Sequence, residues 1–255
     1  MATASPAGNR GQDTPAGYRR VAATPGTAAV AREQDARVIA AILARTTLYD
    51  WAARHPERRG MQGRGVAWAV PLDSGTRVVV RHSRHGGMLA PVTGDRFLAP
   101  TRAPHELDTS LRLIARGVPT PAVVAYATYS AGPGLRRADV AVEEVDHARD
   151  LGDVVLEGGN ALDAALHATG LLLHVMARAG AHHPDLNVKN VLLSSGPGMP
   201  TAWVLDVDRI RFTDPARARR GNAARLARSL RKWRDTRAAP VTDAQIARVT
   251  AHTGD

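Results

Sequence analysis

Residues 182–193, HHPDLNVKNVLL, set two histidines, an aspartate and two asparagines directly before an apolar run in a chain dominated by Ala, Arg and Val. After Val191–Leu193 the turn SSGPGMP leads into a second apolar run, Ala202–Leu205, which ends at Asp206 with Asp208 two residues on. A hairpin made of those two runs puts Asn190 just before its outgoing strand and Asp206 just after its returning one, at the same open end. Asp185 lies in the loop that feeds that end. Two carboxylates and a carboxamide then converge, a set suited to holding Mg²⁺ through oxygen ligands with one carboxylate left as a base. Taken singly, Asp185 also reads as a turn cap and Asn190 as a strand-entry cap; the joint pattern is what the chemical reading explains. The adjacent His182 and His183 are badly spaced to share a zinc ion, and the chain offers neither cysteine nor H-x-x-x-H.

The elements around this cluster can be placed from periodicity. Gln34 to Ala53 carries a helical pattern, with Val38, Ala41 and Ile42 on one side. The Gly-rich RRGMQGRG then passes into alternation at Val66, Trp68 and Val70, an Asp73-Ser74-Gly75 turn and the β-branched TRVVVRH, which together read as a hairpin. Glu106–Arg116 is a helix with Leu107, Leu111 and Ile114 at i, i+4, i+7 and Gly117 past its end. Residues 122–129 and 138–145 read as strands. A longer helix with Asn160 as N-cap carries Leu162, Leu166, Leu173 and Met176 inward and ends at Gly180. Strands with one helix, followed by mostly helix, argue for an α+β protein of two lobes.

Composition sets the outer bounds. The 255 residues suffice for one large domain or two lobes sharing a core, and 44% hydrophobic content is enough to fill it. Aromatics are only 4%, so the core must be Leu, Val and Ala. Zero cysteines exclude disulfides, thiolate metal sites and cysteine nucleophiles. The first residues show no charged segment leading into an apolar stretch, and no run of 18 apolar residues occurs, so a cytoplasmic protein is expected. Lys and Arg number 34 against 24 Asp and Glu, and only Lys189 and Lys232 are lysines. The net +10 fits either an anionic partner or an Arg-rich solvated surface. Residues 1–30 are Ala, Thr, Pro and Gly without periodicity and are expected to be a disordered tail. PARARRGNAARLARSLRKWRDTR, 215–237, is a basic amphipathic helix with Leu226, Leu230 and Trp233 on one stripe. It could dock that stripe on the larger lobe, lie on an anionic membrane surface, or do both.

H-P-D-L-N-V-K-N resembles the catalytic loop of the protein-kinase-like superfamily, and V-L-D-V-D resembles its metal-binding segment. The finer resemblance is to the Kdo (3-deoxy-D-manno-octulosonic acid) kinases of the lipopolysaccharide kinase family. It rests on H-x-D-L-N-x-x-N, D-h-D-R (Asp206, Val207, Asp208, Arg209), R-H-x-R-x-G-G (Arg81, His82, Arg84, Gly86, Gly87), GDRFL at 94–98, RGVPTP at 116–121 and NAARLARSLRK at 222–232, over about residues 45–235 in one order. The resemblance implies a two-lobed kinase-like fold: a small, mostly β N-lobe over about 45–145 and a shortened, mostly helical C-lobe over about 146–240. These lobes lie within a domain at 31–240, followed by a tail at 241–255. It implies ATP and Mg²⁺ as cofactors, with Asp185 orienting the attacking hydroxyl and Asn190 and Asp206 holding the metal. Gly60, Gly63 and Gly65 would form a loop over the nucleotide, where backbone amides approach phosphate. Arg81 and Glu106 would be the phosphate-binding cation and its helical partner, and Glu143, Glu144 and Val145 the hinge that receives adenine. The implied acceptor is a Kdo sugar of the lipid A–inner core precursor, at the cytoplasmic face of the inner membrane.

Two departures stand out. Kinases generally place Lys where this chain has Arg81, whose planar fork has a different reach, although the Kdo kinases accept Arg there. The glycines follow G-x-x-G-x-G rather than G-x-G-x-x-G and read equally as a plain turn. Another small-molecule kinase or an atypical Ser/Thr kinase shares the same loop, so the acceptor stays open at this level. A pseudokinase scaffold has only Arg81 in its favour. A basic nucleic-acid-binding protein would explain the charge, but no recognition helix or RNP-type motif is present and aromatics are few. A Walker ATPase is excluded because the two lysines precede Asn190 and Trp233 rather than Ser or Thr.

Overall fold

The structure, a computed structural model, describes residues 14–61, 66–83, 97–98, 101–195 and 198–251. Its amino-terminal lobe is an antiparallel sheet of β1 (Tyr18–Val21), β2 (Thr27–Arg32), β3 (Arg59–Met61), β4 (Ala67–Pro71), β5 (Arg77–His82), β6 (Phe97–Leu98), β7 (Val123–Ser130) and β8 (Leu135–Glu143). The spatial order is β1-β2-β7-β8-β5-β4-β3, with β6 also on β8. The β4–β5 hairpin forms as its alternation predicts, with Trp68 opposite Val80.

Strand alternation sorts the side chains onto two faces. Val78, Val80, Ala127 and Ala141 pack under α1 (Ala36–Leu43) and α2 (Leu48–Arg54) through Ile39, Leu43 and Leu48. Val123, Ala138 and Val140 face α3 (Ala103–Ile114) through Ala103 and Leu107. Arg81, one residue past Val80, emerges on the α3 side. The fold thereby sets a cation opposite Glu106, which α3 presents from its first turn.

Residues 18–32 are not a disordered tail. β1 and β2 extend the sheet, so the lobe begins near Tyr18 rather than residue 45. β2 pairs with β7, where Ala29 meets Ala127, and β1 pairs in turn with β2, Tyr18 opposite Arg32. Small side chains and a partner distant in sequence leave little local signal. The helical pattern over Gln34–Ala53 is two helices rather than one. The chain breaks at Thr47, whose side-chain oxygen accepts the Asp50 N–H and caps α2.

The carboxy-terminal lobe is α4 (Leu151–Glu157), α5 (Asn160–Arg178), α6 (Pro215–Arg237) and α7 (Asp243–Ala251) around the hairpin of β11 (Val191–Ser194) and β12 (Thr201–Val204). β9 (Ala148–Asp150) joins β11, and β10 (Ala181–His182) pairs with β13 (Arg211–Phe212). Leu162, Leu166, Leu173 and Met176 of α5 enter the core as their spacing predicts, although Gly159, not Asn160, is the N-cap. Leu226, Leu230 and Trp233 dock into the same core. Gly152 permits that docking, because a Cβ there would lie 2.5 Å from the Trp233 ring. The segment expected as a tail from 241 instead forms α7. Its Ile246 and Val249 are buried, and Gln245 bonds Asp163 at 3.0 Å. Two apolar residues three apart are too brief a pattern to announce a helix.

The lobes are stitched through the RGVPTP segment. Val204 N–H donates to the Pro119 carbonyl and Thr120 Oγ1 donates to the Val204 carbonyl, both at 3.0 Å. Leu113 and Val118 belong to the lower core, so the end of α3 is rooted in the other lobe.

The docking of α7 is measurable. Ile246→Ala removes a fully buried side chain and is expected to cost about 2–5 kcal/mol of unfolding free energy, seen as a lower urea midpoint. An unchanged midpoint would mean that this segment does not pack on the core.

Candidate active site

The register of β11 and β12 sets Val191 opposite Val204, and the next residues out remain tied: Leu205 N–H donates to the Asn190 carbonyl at 2.9 Å. Asn190 and Asp206 therefore meet at the open end of the hairpin. Asn190 closes a 3-10 turn, Val188–Asn190, that Asn187 caps by accepting the Lys189 N–H at 2.9 Å. The Asp185 carbonyl accepts from Asn187 Nδ2 at 2.8 Å and from Asn190 Nδ2 at 3.1 Å. These bonds join Asp185 and Asn190 and occupy the amide nitrogen of Asn190, leaving its Oδ1 as the acceptor atom. Asp206 adopts φ 59°, ψ 42°, a left-handed conformation uncommon outside glycine and frequent at working sites.

Behind these residues lies His183, fully buried. Its Nε2 lies 3.1 Å from the Leu205 carbonyl, which can only accept, so Nε2 carries the proton. Nδ1 is then the acceptor for the Asp185 N–H, at 3.2 Å. One imidazole thus bonds both the loop bearing Asp185 and the residue before Asp206. Burial pushes its pKa below the ordinary histidine value, against an opposing pull from the Asp206 carboxylate. The loop is anchored from below by buried Asn222 of α6, whose Oδ1 accepts the His183 N–H at 2.9 Å and whose Nδ2 donates to the Ala181 carbonyl at 2.8 Å.

On the sheet side, Arg81 Nη2 donates to Glu106 Oε1 at 2.6 Å. Burial raises the Glu106 pKa, with Arg81 opposing; Glu106, Asp206 and Asp208 together hold the guanidinium charged. Asp208 lies within the same field. Burial and the neighbouring Asp206 raise its pKa, while Arg102 pairs with it at 3.2 Å. At the hinge, Glu143 ends β8 and pairs with Arg32 at 2.6 Å; Arg32 also donates to buried Asp35 at 2.9 Å. Asp35 further accepts from Ser74 Oγ at 2.6 Å and Thr76 Oγ1 at 3.0 Å. Glu144 is held by Arg59 and by Arg77 at 2.9 Å, and its N–H donates to the Arg77 carbonyl at 3.0 Å. Both hinge carboxylates are therefore committed to arginines, and Val145 follows them.

Asp185, Asn190, Asp206, Arg81 and Glu106 are thus brought together from the two lobes. Gly60 lies in edge strand β3 opposite Trp68, where a Cβ would meet nothing closer than 3.5 Å, so no steric demand fixes glycine there. Gly63, Gly65, Arg84, Gly86, Gly87 and residues 94–96 of the quoted motifs lie outside the described residues. Among the described residues no three His, Cys, Asp or Glu side chains converge as ion ligands. A carboxamide oxygen and one or two carboxylates instead suit Mg²⁺ that arrives with phosphate oxygens. Lys189, inside the loop, is drawn off to Asp150 and Asp153 at 2.7 and 3.1 Å. Asn222 and Arg102 were not foreseen as site residues. The signal for Asn222 was a lone amide interrupting the stripe Ala218, Leu226, Leu230 and Trp233.

Comparison with known proteins bears on the family and the fold. The profile of the lipopolysaccharide kinase (Kdo/WaaP) family matches residues 50–252. A 3-deoxy-D-manno-octulosonic acid kinase of Xanthomonas oryzae pv. oryzae (strain PXO99A) is 37% identical over 192 residues, covering 73% of this chain and 74% of its own. Its counterpart in Vibrio parahaemolyticus serotype O3:K6 (strain RIMD 2210633) is 28% identical over 207 residues, 76% of this chain and 84% of that one. Among solved structures, WaaP in complex with acyl carrier protein is similar at TM-score 0.50 and 20% identity, covering 79% of this chain and 84% of that chain. That likeness bears out the two-lobed, kinase-like α+β fold.

The buried imidazole gives the molecule a definite response to acid. His183 titrates lower folded than unfolded, so as pH falls below the unfolded value of about 6.5 the unfolded chain binds the proton first. Stability present above that pH is lost progressively below it. Urea midpoints measured from pH 7.5 down to 5 should fall, and the slope should flatten in His183→Gln. An equal slope in the variant would assign the effect to other groups.

Proposed function

Since the chain belongs to the lipopolysaccharide kinase (Kdo/WaaP) family, we propose that it transfers the terminal phosphoryl group of ATP to a Kdo hydroxyl on the lipid A–inner core precursor, with Asp185 taking up the hydroxyl proton. It is a phosphotransferase with an alcohol acceptor, acting in lipopolysaccharide core biosynthesis. The observation that carries the assignment of roles is the convergence of Asp185, Asn190 and Asp206 at one end of a hairpin, opposite the Arg81–Glu106 pair.

Asp185 has its backbone carbonyl locked by two carboxamides, while its carboxylate is 44% exposed and, among the described residues, meets only Arg209 and Arg225, at 3.4 and 3.5 Å. It lies where an incoming hydroxyl can donate to it. Asn190 Oδ1 and Asp206 would hold Mg²⁺, which when bound neutralises charge on the nucleotide phosphates. Arg81, oriented by Glu106, would bind phosphate oxygens; its guanidinium can chelate two of them where a lysine meets one. Backbone groups of Glu143–Val145 would receive the adenine. The arginines on Glu143 and Glu144 keep both carboxylates away from that edge. Gly60 on β3 would take part in covering the phosphates, together with Gly63 and Gly65 outside the described residues.

The site would work at the cytoplasmic face of the inner membrane, where a lipid-linked acceptor presents its sugars. Among the described residues no helix is long and apolar enough to cross a membrane. The apolar stripe of α6 is spent in the core, so the exposed Arg219, Arg220, Arg228 and Lys232 offer charge rather than insertion. Attachment would then be electrostatic, about 1 kcal/mol per basic residue near an anionic surface.

Two measurements test this reading. Purified protein with Mg-ATP should phosphorylate Kdo-lipid A, and Asp185→Ala should lower turnover by about 10²–10⁴-fold; absence of transfer by the unaltered chain would refute the acceptor. Co-sedimentation with vesicles containing anionic lipid should be strong at low salt and fall steeply toward 0.5 M. Binding that is indifferent to salt would reject the electrostatic mode.

A further inference from the structure

Asp185 is flanked by more positive charge than its role requires. Arg209 Nη1 lies 3.4 Å from its Oδ2 and Arg225 Nη2 lies 3.5 Å from its Oδ1, while the side chain is 44% exposed. Both contacts are longer than the roughly 2.7–2.9 Å of a settled charge-assisted bond. Arg225 Nε is buried and, among the described residues, has no hydrogen-bond acceptor. Two further arginines stand nearby. Arg211 on β13 is in register with His182, and Arg217 lies in the early turns of α6. The His182 ring rests on α6 at Gly221, where a Cβ would lie 2.5 Å from Nε2. Burial lowers the His182 pKa first, then Arg217, Arg211 and Arg225 lower it further.

Among the described residues the acidic groups in reach do not balance this cluster. Asp208 shares itself between Arg102 at 3.2 Å and Arg209 at 4.0 Å. Asp214 caps α6 by accepting the Arg217 backbone N–H at 2.7 Å. Gathering like charges around so few carboxylates, at long contacts, costs Coulomb energy, so an under-neutralised cluster beside a candidate base points to an anion that is brought in. The proposed acceptor is an octulosonic acid. Its carboxylate lies within the width of one sugar ring from its hydroxyls and must rest close to Asp185 when a hydroxyl does.

We propose that Arg209 and Arg225, with Arg211 and Arg217 at the rim, form an anion subsite that takes the carboxylate of the acceptor sugar. The proposal rests on the Kdo reading and adds how that acceptor is told from a neutral sugar. As the carboxylate docks, the two guanidiniums exchange loose contacts with Asp185 for bidentate contacts with the substrate. Both oxygens of Asp185 are then open to the hydroxyl.

The test compares Kdo-lipid A with the same acceptor carrying its Kdo carboxylate as the amide, using the purified full chain. The unaltered protein should prefer the carboxylate by about ten- to a hundredfold in kcat/KM, the worth of a charge-assisted bond. Arg225→Gln should lose a similar factor on the carboxylate acceptor and little more on the amide, with the KM for ATP moving less than about twofold. Arg211→Gln, an exposed change, should show the same pattern more weakly and carries the comparison if Arg225→Gln does not fold. Equal losses on both acceptors would assign the arginines to the transferred phosphoryl group or to structure, and overturn the subsite. So would an unaltered protein that phosphorylates both acceptors equally. Transfer to neither acceptor would overturn the Kdo reading itself, and the subsite with it.

Discussion

The loop bearing Asp185 and the segment bearing Asp206 are held in register by the imidazole of His183, which donates to one and accepts from the other. That dual role requires a neutral ring with its proton on Nε2. Burial enforces it, since a charged imidazole would have to leave water for a largely apolar surround. Asn222 fixes the same loop from α6 with both ends of its amide. The core built by α5 and α6 therefore reaches the site through two polar side chains rather than through apolar packing alone. Each nitrogen and oxygen of the two side chains has a partner, the condition under which a buried polar network confers rigidity.

The site's second half depends on parity. Arg81 faces α3 because it follows Val80 by one residue in a strand whose other face is sealed by α1 and α2. A one-residue slip of β5 would bury the cation in that apolar layer and send Val80 to meet Glu106. Asp35 guards the register from the turn. It binds Ser74 and Thr76 of the β4–β5 connection while its partner Arg32 holds Glu143 at the hinge. The amino-terminal strands thus serve the site although they contribute no residue to it.

Legibility in the sequence followed the range of the interactions. The β4–β5 and β11–β12 hairpins, α3 and the long α5 each carry a local period, and the spacing of Asp185, Asn190 and Asp206 around a hairpin implies their convergence. β1 and β2 escaped because YRRV and TAAVAR show little alternation and β2 finds its inner partner, β7, about a hundred residues away. The break at Thr47 and the short α7 escaped because capping and two-residue burial barely perturb periodicity. Asn222 and Arg225 could be read as part of a basic helix, but which polar groups face inward follows only from how α6 lies under β10. The likeness to a known family supplied the roles of Arg81 and Glu106, whose pairing no spacing rule predicts.

The rooting of α3 has a consequence for control. Its N-cap, Arg102, is tethered to Asp208 after the hairpin, and Leu113 of its last turn, with Val118 just beyond, is embedded in the core of the opposite lobe. In switchable kinases the corresponding helix swings to make or break its ion pair. A helix held at both ends, with its exit strung onto β12, keeps Glu106 in place by the same contacts that join the two lobes. The Arg81–Glu106 pair is thereby tied to the lobe junction, not to α3 alone.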